Sequence, residues 1–367
     1  KVLGISPEIV VSRSPTRLSS IAVDSKGQAH IAADGGSWVR FFDRLPTGGW
    51  NEAGVDLAAR GYKQYYNPHL EIDAKDRLWC SGILVAGLGI FVRPAGGIWH
   101  FSEQKIQGAW DSGNLSLDPA YPNDMIAMSA RGNWKAFTYD TNVATRLRKF
   151  AQGLLFACND GEKKGFWISK AGVVKHADGS YHSVWHNAGG GWDKSSSAYQ
   201  NSLRLAERKP PVVWAEFKSY PTQGDDGAYV SCVSDSVDPQ LAYMVCDFSI
   251  ARFQNTAGVA LNIWDGKRGS MIFSPRGIGI VDRDGTSALR RFAPQLAPAK
   301  GGGCWVLWTR GAVLWLRYVG PDGRTGETWN LGVGRWGSLC ADENGNLRVA
   351  YQNNGLCYRF VAVGERQ

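Results

Sequence analysis

The residues best equipped for chemistry gather in a few places. In the stretch 65–69, YYNPH, the phenols of Tyr65 and Tyr66 and the amide of Asn67 lead into His69. In 181–186, YHSVWH, Tyr181 and His182 are followed by His186, and further on stand Tyr199, the Arg290-Arg291 pair and Arg335-Trp336. Phenol, imidazole and guanidinium groups together supply proton donors, proton acceptors and a permanent cation that binds anions. Hydrolysis of a glycosidic bond asks instead for paired carboxylates. The acids available for that are Glu71, Glu207, Glu216 and the adjacent Asp225 and Asp226.

Strand geometry constrains the histidines. If 181–187 is a strand, His182 and His186 share one face with Val184, while Tyr181, Ser183 and Trp185 take the other. At that spacing two imidazoles do not easily chelate one ion without a third ligand from elsewhere, which argues against zinc. No cofactor is required by any motif, and a structural Ca or Zn ion is left open. The run Gly189–Trp192 (GGGW) that follows suits a substrate lip. His30 and His100 fall inside strand patterns and read as internal hydrogen-bonding residues. His69 admits two readings, a packing residue at the start of a strand or a catalyst; its Tyr-Tyr-Asn prefix and its uniqueness among the repeats support the second.

These residues must be positioned by a recurring unit. Apolar alternation, an Asp-led polar turn and a second apolar run make up YYNPHLEIDAKDRLWCSG from Tyr65, the pattern of two antiparallel strands joined by a tight turn. The same pattern returns as SSIAVDSKGQAHIAADGG from Ser19, GNLSLDPAYPNDMIAMSARG from Gly113 and GSLCADENGNLRVAYQNNG from Gly337. With other turns it returns as NSLRLAERKPPVVWAEF from Asn201 and PQLAPAKGGGCWVLWTRG from Pro294. Repetition of this kind means one supersecondary unit used many times.

Taking Ile21, Leu70, Leu115, Leu203, Leu296 and Leu339 as equivalent points, the intervals are near one unit or near two. Each long interval then hides a diverged unit, around 154–158 and around 229–247. The arc from Leu339 through the end of the chain and on from Lys1 to Ile21 is one more unit, split across the termini. A ring of sheets closed by both ends of the chain leaves no exposed edge. The sequence therefore predicts an all-β fold, a single β-propeller over 1–367, of seven or eight four-stranded antiparallel blades. They start near 18, 67, 112, 153, 200, 228–246, 293 and 336, and the N- and C-terminal strands share one blade, the segment 8–12 adding to strands within 337–363. Third strands are readable at 38–43, 90–93, 133–139, 312–318 and 356–361. The turns 82–89 and 218–227 look long, and long loops on a rigid ring are candidate walls of a cleft.

The formal charge of +8 and pI of 9.1 favour anionic partners. The basic residues are scattered, with no run resembling a nucleic-acid arm or a polybasic membrane segment, so a polyanionic carbohydrate fits and nucleic acid and membrane do not. A merely basic soluble protein is the other reading of the same charge. The seven cysteines show no metal-ligand spacing and sit mostly in strand-like runs, which argues against a disulfide framework. No apolar stretch approaches bilayer length. The chain begins at Lys1 rather than Met, which suggests a removed signal peptide and a secreted or periplasmic protein, or an arbitrary boundary. A monomer is expected.

The turns VDSKGQAHI, IDAKDRLW, VDRDGTSAL and ADENGNLRV run hydrophobic, Asp, polar, polar, Gly or its substitute. In this the chain resembles the repeat-containing propellers related to sialidases, and among them the ulvan-lyase-like polysaccharide lyases. The Asp-box form Ser-x-Asp-x-Gly-x-Thr-Trp is intact in no turn and no sialidase arginine triad is assignable, which disfavours a sialidase. The lyase resemblance implies β-elimination on a uronic-acid polymer, ulvan-like and sulfated among the choices. That reaction needs a cation to neutralise the carboxylate, a base for the carbon-bound proton and an acid for the leaving oxygen. On that reading Arg335 or Arg291 neutralises, His69 is the base, Tyr66 or Tyr199 the acid and His182 a reserve base. Asn67, Tyr181, His186 and Trp336 would then contact substrate. Two alternatives stand beside it: a glycoside hydrolase using the carboxylates named above, and a lectin whose Trp and Tyr side chains stack on sugars.

Overall fold

The computed structural model describes residues 1–16, 18–35, 38–60, 65–73, 75–84, 87–105, 113–118, 121–129, 154–158, 172–175, 181–186, 197–199, 216–218, 230–238, 241–250, 256–265, 270–272, 279–284 and 293–364. Between 102 and 230 the description is of backbone paths. Apart from a 3-10 turn at Ala58–Arg60, every regular element among the described residues is a β-strand.

These strands form seven sheets in chain order, four of them four-stranded antiparallel blades. The 19–56 blade is Ser19–Val23, Ala29–Asp34, Trp38–Arg44 and Trp50–Asp56. The 65–105 blade is Tyr65–Ile72, Leu78–Leu84, Gly87–Arg93 and His100–Lys105. The 172–218 blade is Gly172–Lys175, Tyr181–His186, Ser197–Tyr199 and Glu216–Lys218. The 295–333 blade is Gln295–Pro298, Cys304–Arg310, Val313–Val319 and Thr325–Val333. The first strand of each sheet lies against the first strand of the next, and Arg335–Ala341 of the last sheet lies against Ser19–Val23. That closed succession is the ring of an all-β propeller.

The expectation of seven or eight four-stranded antiparallel blades is thus corrected to four among the described residues, for three physical reasons. Leu154–Cys158 starts no antiparallel unit; it runs parallel to Tyr121–Ser129 and completes a three-stranded sheet with Gly113–Asp118. Parallel partners are joined by a long crossover, so a hairpin period passes over them. In the sheet of Val230–Ser234 and Leu241–Ile250, Thr256–Asp265 is ten residues long and takes two partners end to end, Ser270–Ile272 and Gly279–Asp284. Similarly, Leu356–Val363 of the closing sheet takes both Val2–Ile5 and Ile9–Ser12.

Burial explains why the inner hairpins carry the pattern. Cys304–Arg310 is buried at all but its last residue and Leu347–Gln352 at four of six, because a strand near the ring axis is covered by blades on both sides. Trp50–Asp56 has no fully buried residue. The core lies between successive blades. Leu307, Leu314 and Leu316 pack with Leu339, Val349 and Tyr351. Phe42 and Ile31 pack with Ala350 and Tyr358, and Phe41 and Ala32 with Leu70 and Phe91. Buried serines tie inner strands together: Leu70 N–H donates to Ser20 Oγ (2.9 Å) and Leu296 N–H to Ser231 Oγ (3.1 Å).

The repeated aspartate is a staple for the inner hairpin. Asp24 Oδ1 accepts from the N–H groups of Lys26 and Gln28, Asp73 Oδ1 from those of Lys75 and Arg77, and Asp342 Oδ1 from that of Asn346. The second carboxylate oxygen meets a side chain on the returning strand: His30 Nε2 at 3.4 Å, Trp79 Nε1 at 3.0 Å and Arg348 Nη2 at 3.0 Å. Gly27 and Gly345 close their turns at positive φ; in the 65–105 blade Asp76 does so at φ 55° and reaches Ser25 of the neighbouring turn. The turn signature therefore reports architecture.

Glu8 links the N-terminal segment to the C-terminal strands of the closing sheet. Its carboxylate accepts from Tyr351 Oη (2.7 Å) and Asn353 Nδ2 (3.0 Å), and Arg359 donates to both Tyr351 Oη (2.9 Å) and the Ser6 carbonyl (2.7 Å). Burial pushes the Glu8 carboxyl up, but hydrogen bonds from Asn353 and Tyr351 and the charge of Arg359 outweigh it and hold the group below its ordinary 4.5. A depressed folded pKa contributes stability above the unfolded pKa and loses it as pH falls through the folded one. Glu8→Gln is expected to cost about 1–2 kcal/mol at neutral pH. In urea unfolding at a series of pH values the difference from wild type should shrink below pH 4.5; a difference that stays constant in acid would show that the charge of Glu8 does not stabilise this link.

Candidate functional site

The two ends of the ring differ. One carries the aspartate turns, alike in the 19–56, 65–105 and closing sheets. At the other end the inner strands start, and there the ladders are broken in the same way twice. Tyr66 pairs with Ile83 and His69 with Ser81, so Asn67 and Pro68 together oppose Gly82. Arg335 pairs with Gln352 and Ser338 with Ala350, so Trp336 and Gly337 together oppose Tyr351. Both are β-bulges, devices that re-aim side chains and that gather beside active sites. In the 19–56 blade the inner strand starts at Ser19, the equivalent of Pro68 and Gly337, and pairs without interruption.

Backbone strain marks the same end. Trp336 has φ 54°, and Ala293, at the matching position of the 295–333 blade, has φ 42°. Left-handed backbone is costly for a residue with a side chain and is kept where the surroundings over-determine it. Here packing does so. A Cβ on Gly334 would lie 2.5 Å from the Tyr351 ring, and one on Gly337 would lie 2.7 Å from Leu307 Cδ2. The backbone on either side of Arg335-Trp336 is thereby pressed into the core, leaving Arg335 exposed at the start of its strand.

His69 lies just inside its bulge and is 6 % exposed. Leu70 faces the 19–56 blade, packing with Ala22 and Ala32, so by alternation His69 and Glu71 face the three-stranded sheet on the other side. Nε2 of His69 is 3.1 Å from Glu71 Oε1. An ionised carboxylate only accepts, so Nε2 carries a proton; in the neutral ring Nδ1 is then the acceptor atom, the form a general base takes. The pairing of Glu71 with His69 was missed in the sequence, although two residues two positions apart on a strand share a face.

Tyr66 and Asn67 are on the same inner strand, with side chains outside the described residues, and Arg291 is outside them altogether. Tyr181, His182 and His186 are on the second strand of the 172–218 blade and Tyr199 is on its third, where it pairs with Trp185 on one side and Glu216 on the other. Arg335 and Trp336 share a bulge; Tyr66, Asn67 and His69 share the equivalent one. Glu207, Asp225 and Asp226 lie outside the described residues, as do 219–227 of one expected long loop. The other, 82–89, is corrected: the strands extend to a Leu84–Gly87 pair, because glycines at 82, 87 and 89 are accommodated within the ladder. His30 is internally bonded, with Nδ1 2.6 Å from Asp43 Oδ1; Asp43 also receives Arg93 at 2.7 Å. Burial raises the Asp43 carboxyl, but His30 and Arg93 outweigh it and hold it well below the usual range. Cys80, Cys304, Cys340 and Cys357 are free thiols. Among the described residues no group of three or more His, Cys, Asp or Glu is placed to hold a metal ion, and no helix is long and apolar enough to cross a membrane.

No known protein family matches this chain, and no curated protein is similar to it in sequence. Among solved structures, an α-L-arabinanase of Penicillium chrysogenum complexed with arabinobiose is similar over 98% of this chain and 98% of its own, with a TM-score of 0.52 and 13% identity. A protein of unknown function from Dyadobacter fermentans is similar over 99% and 100%, with a TM-score of 0.51 and 9% identity. Likeness at such identity establishes the propeller fold, and it does not single out the ulvan-lyase-like enzymes.

Proposed function

We propose that this chain is a carbohydrate-active propeller that hydrolyses glycosidic bonds at the end of the ring where the inner strands start. The observation that carries this reading is the contrast between the two ends. The aspartate turns repeat one arrangement, whereas the starts of the inner strands carry Asn67, Ala293 and Trp336 at equivalent positions, preceded by Tyr66 in one and Arg335 in another. A lectin with one site per blade would repeat its binding residues, and unlike residues around one opening make a single composite site instead. The chemistry assigned to it rests on analogy of fold with an arabinanase, supported by the Glu71–His69 pair.

In this reading Glu71 fixes the His69 tautomer and the pair handles the proton of the leaving or attacking oxygen. Arg335, with Arg291, binds substrate hydroxyl or acidic groups, and Trp336, Tyr66 and Asn67 border the sugar. The second carboxylate that hydrolysis requires is sought among Glu207, Glu216, Asp225 and Asp226. The net charge of +8 inclines the substrate class toward acidic polysaccharides.

The protein should be incubated with arabinan, galactan and uronic-acid polymers, with reducing ends and the ultraviolet absorbance of unsaturated uronate followed in parallel. Reducing ends without absorbance are expected. Absorbance would replace hydrolysis by β-elimination, and binding with neither signal would make the chain a lectin.

A further inference from the structure

A second built cleft lies away from the ring axis, between the third and fourth strands of the 19–56 blade and the N-terminal segment of the closing sheet. It has a volume of about 500 Å3 and is lined by Ser14, Pro15, Trp38, Arg40 and Glu52, with Gly35 and Gly54 in its floor. The glycines are what keep it open. A Cβ on Gly54 would lie 3.1 Å from Trp38 Cε3, and one on Gly35 would lie 3.2 Å from Arg40 Cδ. The Trp38 indole is therefore laid against the bare backbone at Gly54, and the side chain is 44% exposed.

Trp38 and Arg40 alternate onto one face of their strand, and Glu52 reaches Arg40 from the strand alongside. Arg40 spends Nε and Nη2 on a single oxygen, Glu52 Oε1, at 2.7 and 2.6 Å, and Nη2 also donates to Ser12 Oγ at 3.2 Å. Among the described residues this leaves Arg40 Nη1 and Glu52 Oε2 without partners, a donor and an acceptor on two residues that line the cleft. The ion pair is fixed in place by Ser12 and by the Arg40 guanidinium over the Phe42 ring, 5.1 Å from its centroid.

We propose that this cleft is a second saccharide-binding site, separate from the site at the start of the inner strands. A sugar ring has a C–H face that stacks on an indole and several hydroxyls, one able to donate to Glu52 Oε2 and another to accept from Arg40 Nη1. The volume falls within the range of small-ligand sites. The choice of a glycan as occupant rests on the carbohydrate reading above. Held here, a polymer chain would be tethered to the outside of the ring while another segment of it occupies the composite site, raising the local concentration of substrate.

Affinity electrophoresis through gels containing arabinan, galactan or a uronic-acid polymer tests this, with circular dichroism confirming that each variant is folded. Wild type should be retarded in at least one gel, and Trp38→Ala should bind that polymer about tenfold more weakly, the loss of one stacking contact of about 1.4 kcal/mol. Glu52→Gln should weaken it in the same gel. Retardation of Trp38→Ala equal to wild type would overturn the cleft as a binding site. Absence of retardation for wild type in every gel would overturn it too, and the reducing-end assay then decides independently whether the carbohydrate reading stands.

Discussion

Asp73→Ala is expected to destabilise the protein by about 3–5 kcal/mol, the scale found when one partner of a buried ion pair is removed. Asp73 is 3% exposed and accepts four hydrogen bonds: from the N–H groups of Lys75 (2.9 Å) and Arg77 (3.1 Å), from Arg77 Nε (2.6 Å) and from Trp79 Nε1 (3.0 Å). Alanine would leave a buried guanidinium without this carboxylate and a fully buried indole N–H without its acceptor. The turn would lose the contacts that hold its two strands in register. Since domains are stable by about 5–15 kcal/mol in all, a loss of this size should be plain in urea unfolding followed by tryptophan fluorescence. Asp73→Asn keeps an acceptor for the turn and should fall between alanine and wild type. Asp322→Ala is the control: its partner Arg324 is 89% exposed, and removal of such a surface pair should cost under about 1 kcal/mol. Equal effects at positions 73 and 322 would show that burial of the staple is not what makes it matter.

His69→Ala is expected to lower kcat by about 10²–10⁴, the usual worth of a positioned acid or base, with a much smaller change in KM. The split between the two constants is the informative part. Loss confined to KM would make His69 a substrate-contacting group, and unchanged kinetics with lowered stability would make it a packing residue bonded to Glu71. His69→Gln, which preserves a polar side chain of similar reach, should retain stability better than alanine without restoring turnover. Glu71→Gln acts on the same chemistry through the ring orientation: an amide can donate to Nε2 as well as accept from it, so the imidazole is no longer held in one tautomer and kcat should fall by a smaller factor.

The two readings of His69 in the sequence reflect what a linear pattern carries. The register points Leu70 and Leu339 were legible because the strands that hold them are covered on both sides, and the structure makes them equivalent, each just past a bulge. The bulges themselves were not legible, since nothing in the linear order of Asn67-Pro68 or Trp336-Gly337 marks two residues set against one in a ladder. The partner of His69 was close at hand in Glu71, but only the ladder with Ser81 and Trp79 puts both side chains on one face. The cleft beside Trp38 was invisible in the sequence. Its floor is the absence of side chains at Gly35 and Gly54, and its far wall comes from residues 14 and 15, brought over by closure of the ring.

The sequence by itself determined that this protein repeats one inner hairpin, that the hairpin turns on an aspartate, and that both termini contribute to one sheet. Those features are local or nearly so: alternation in a strand buried on both faces, a carboxylate bonded to N–H groups within four residues of it, and a missing unit shared between the chain ends. Only the tertiary structure decided how many blades have four antiparallel strands, because that depends on what lies along the outer edges. Thr325–Val333 is mostly exposed and lacks the buried pattern of an inner strand, Leu154–Cys158 finds a parallel partner remote in sequence, and Thr256–Asp265 has length enough for two neighbours. Inner strands are specified by the side chains they bury, whereas outer strands are placed by the ladders open to them, and the chain order does not contain those ladders.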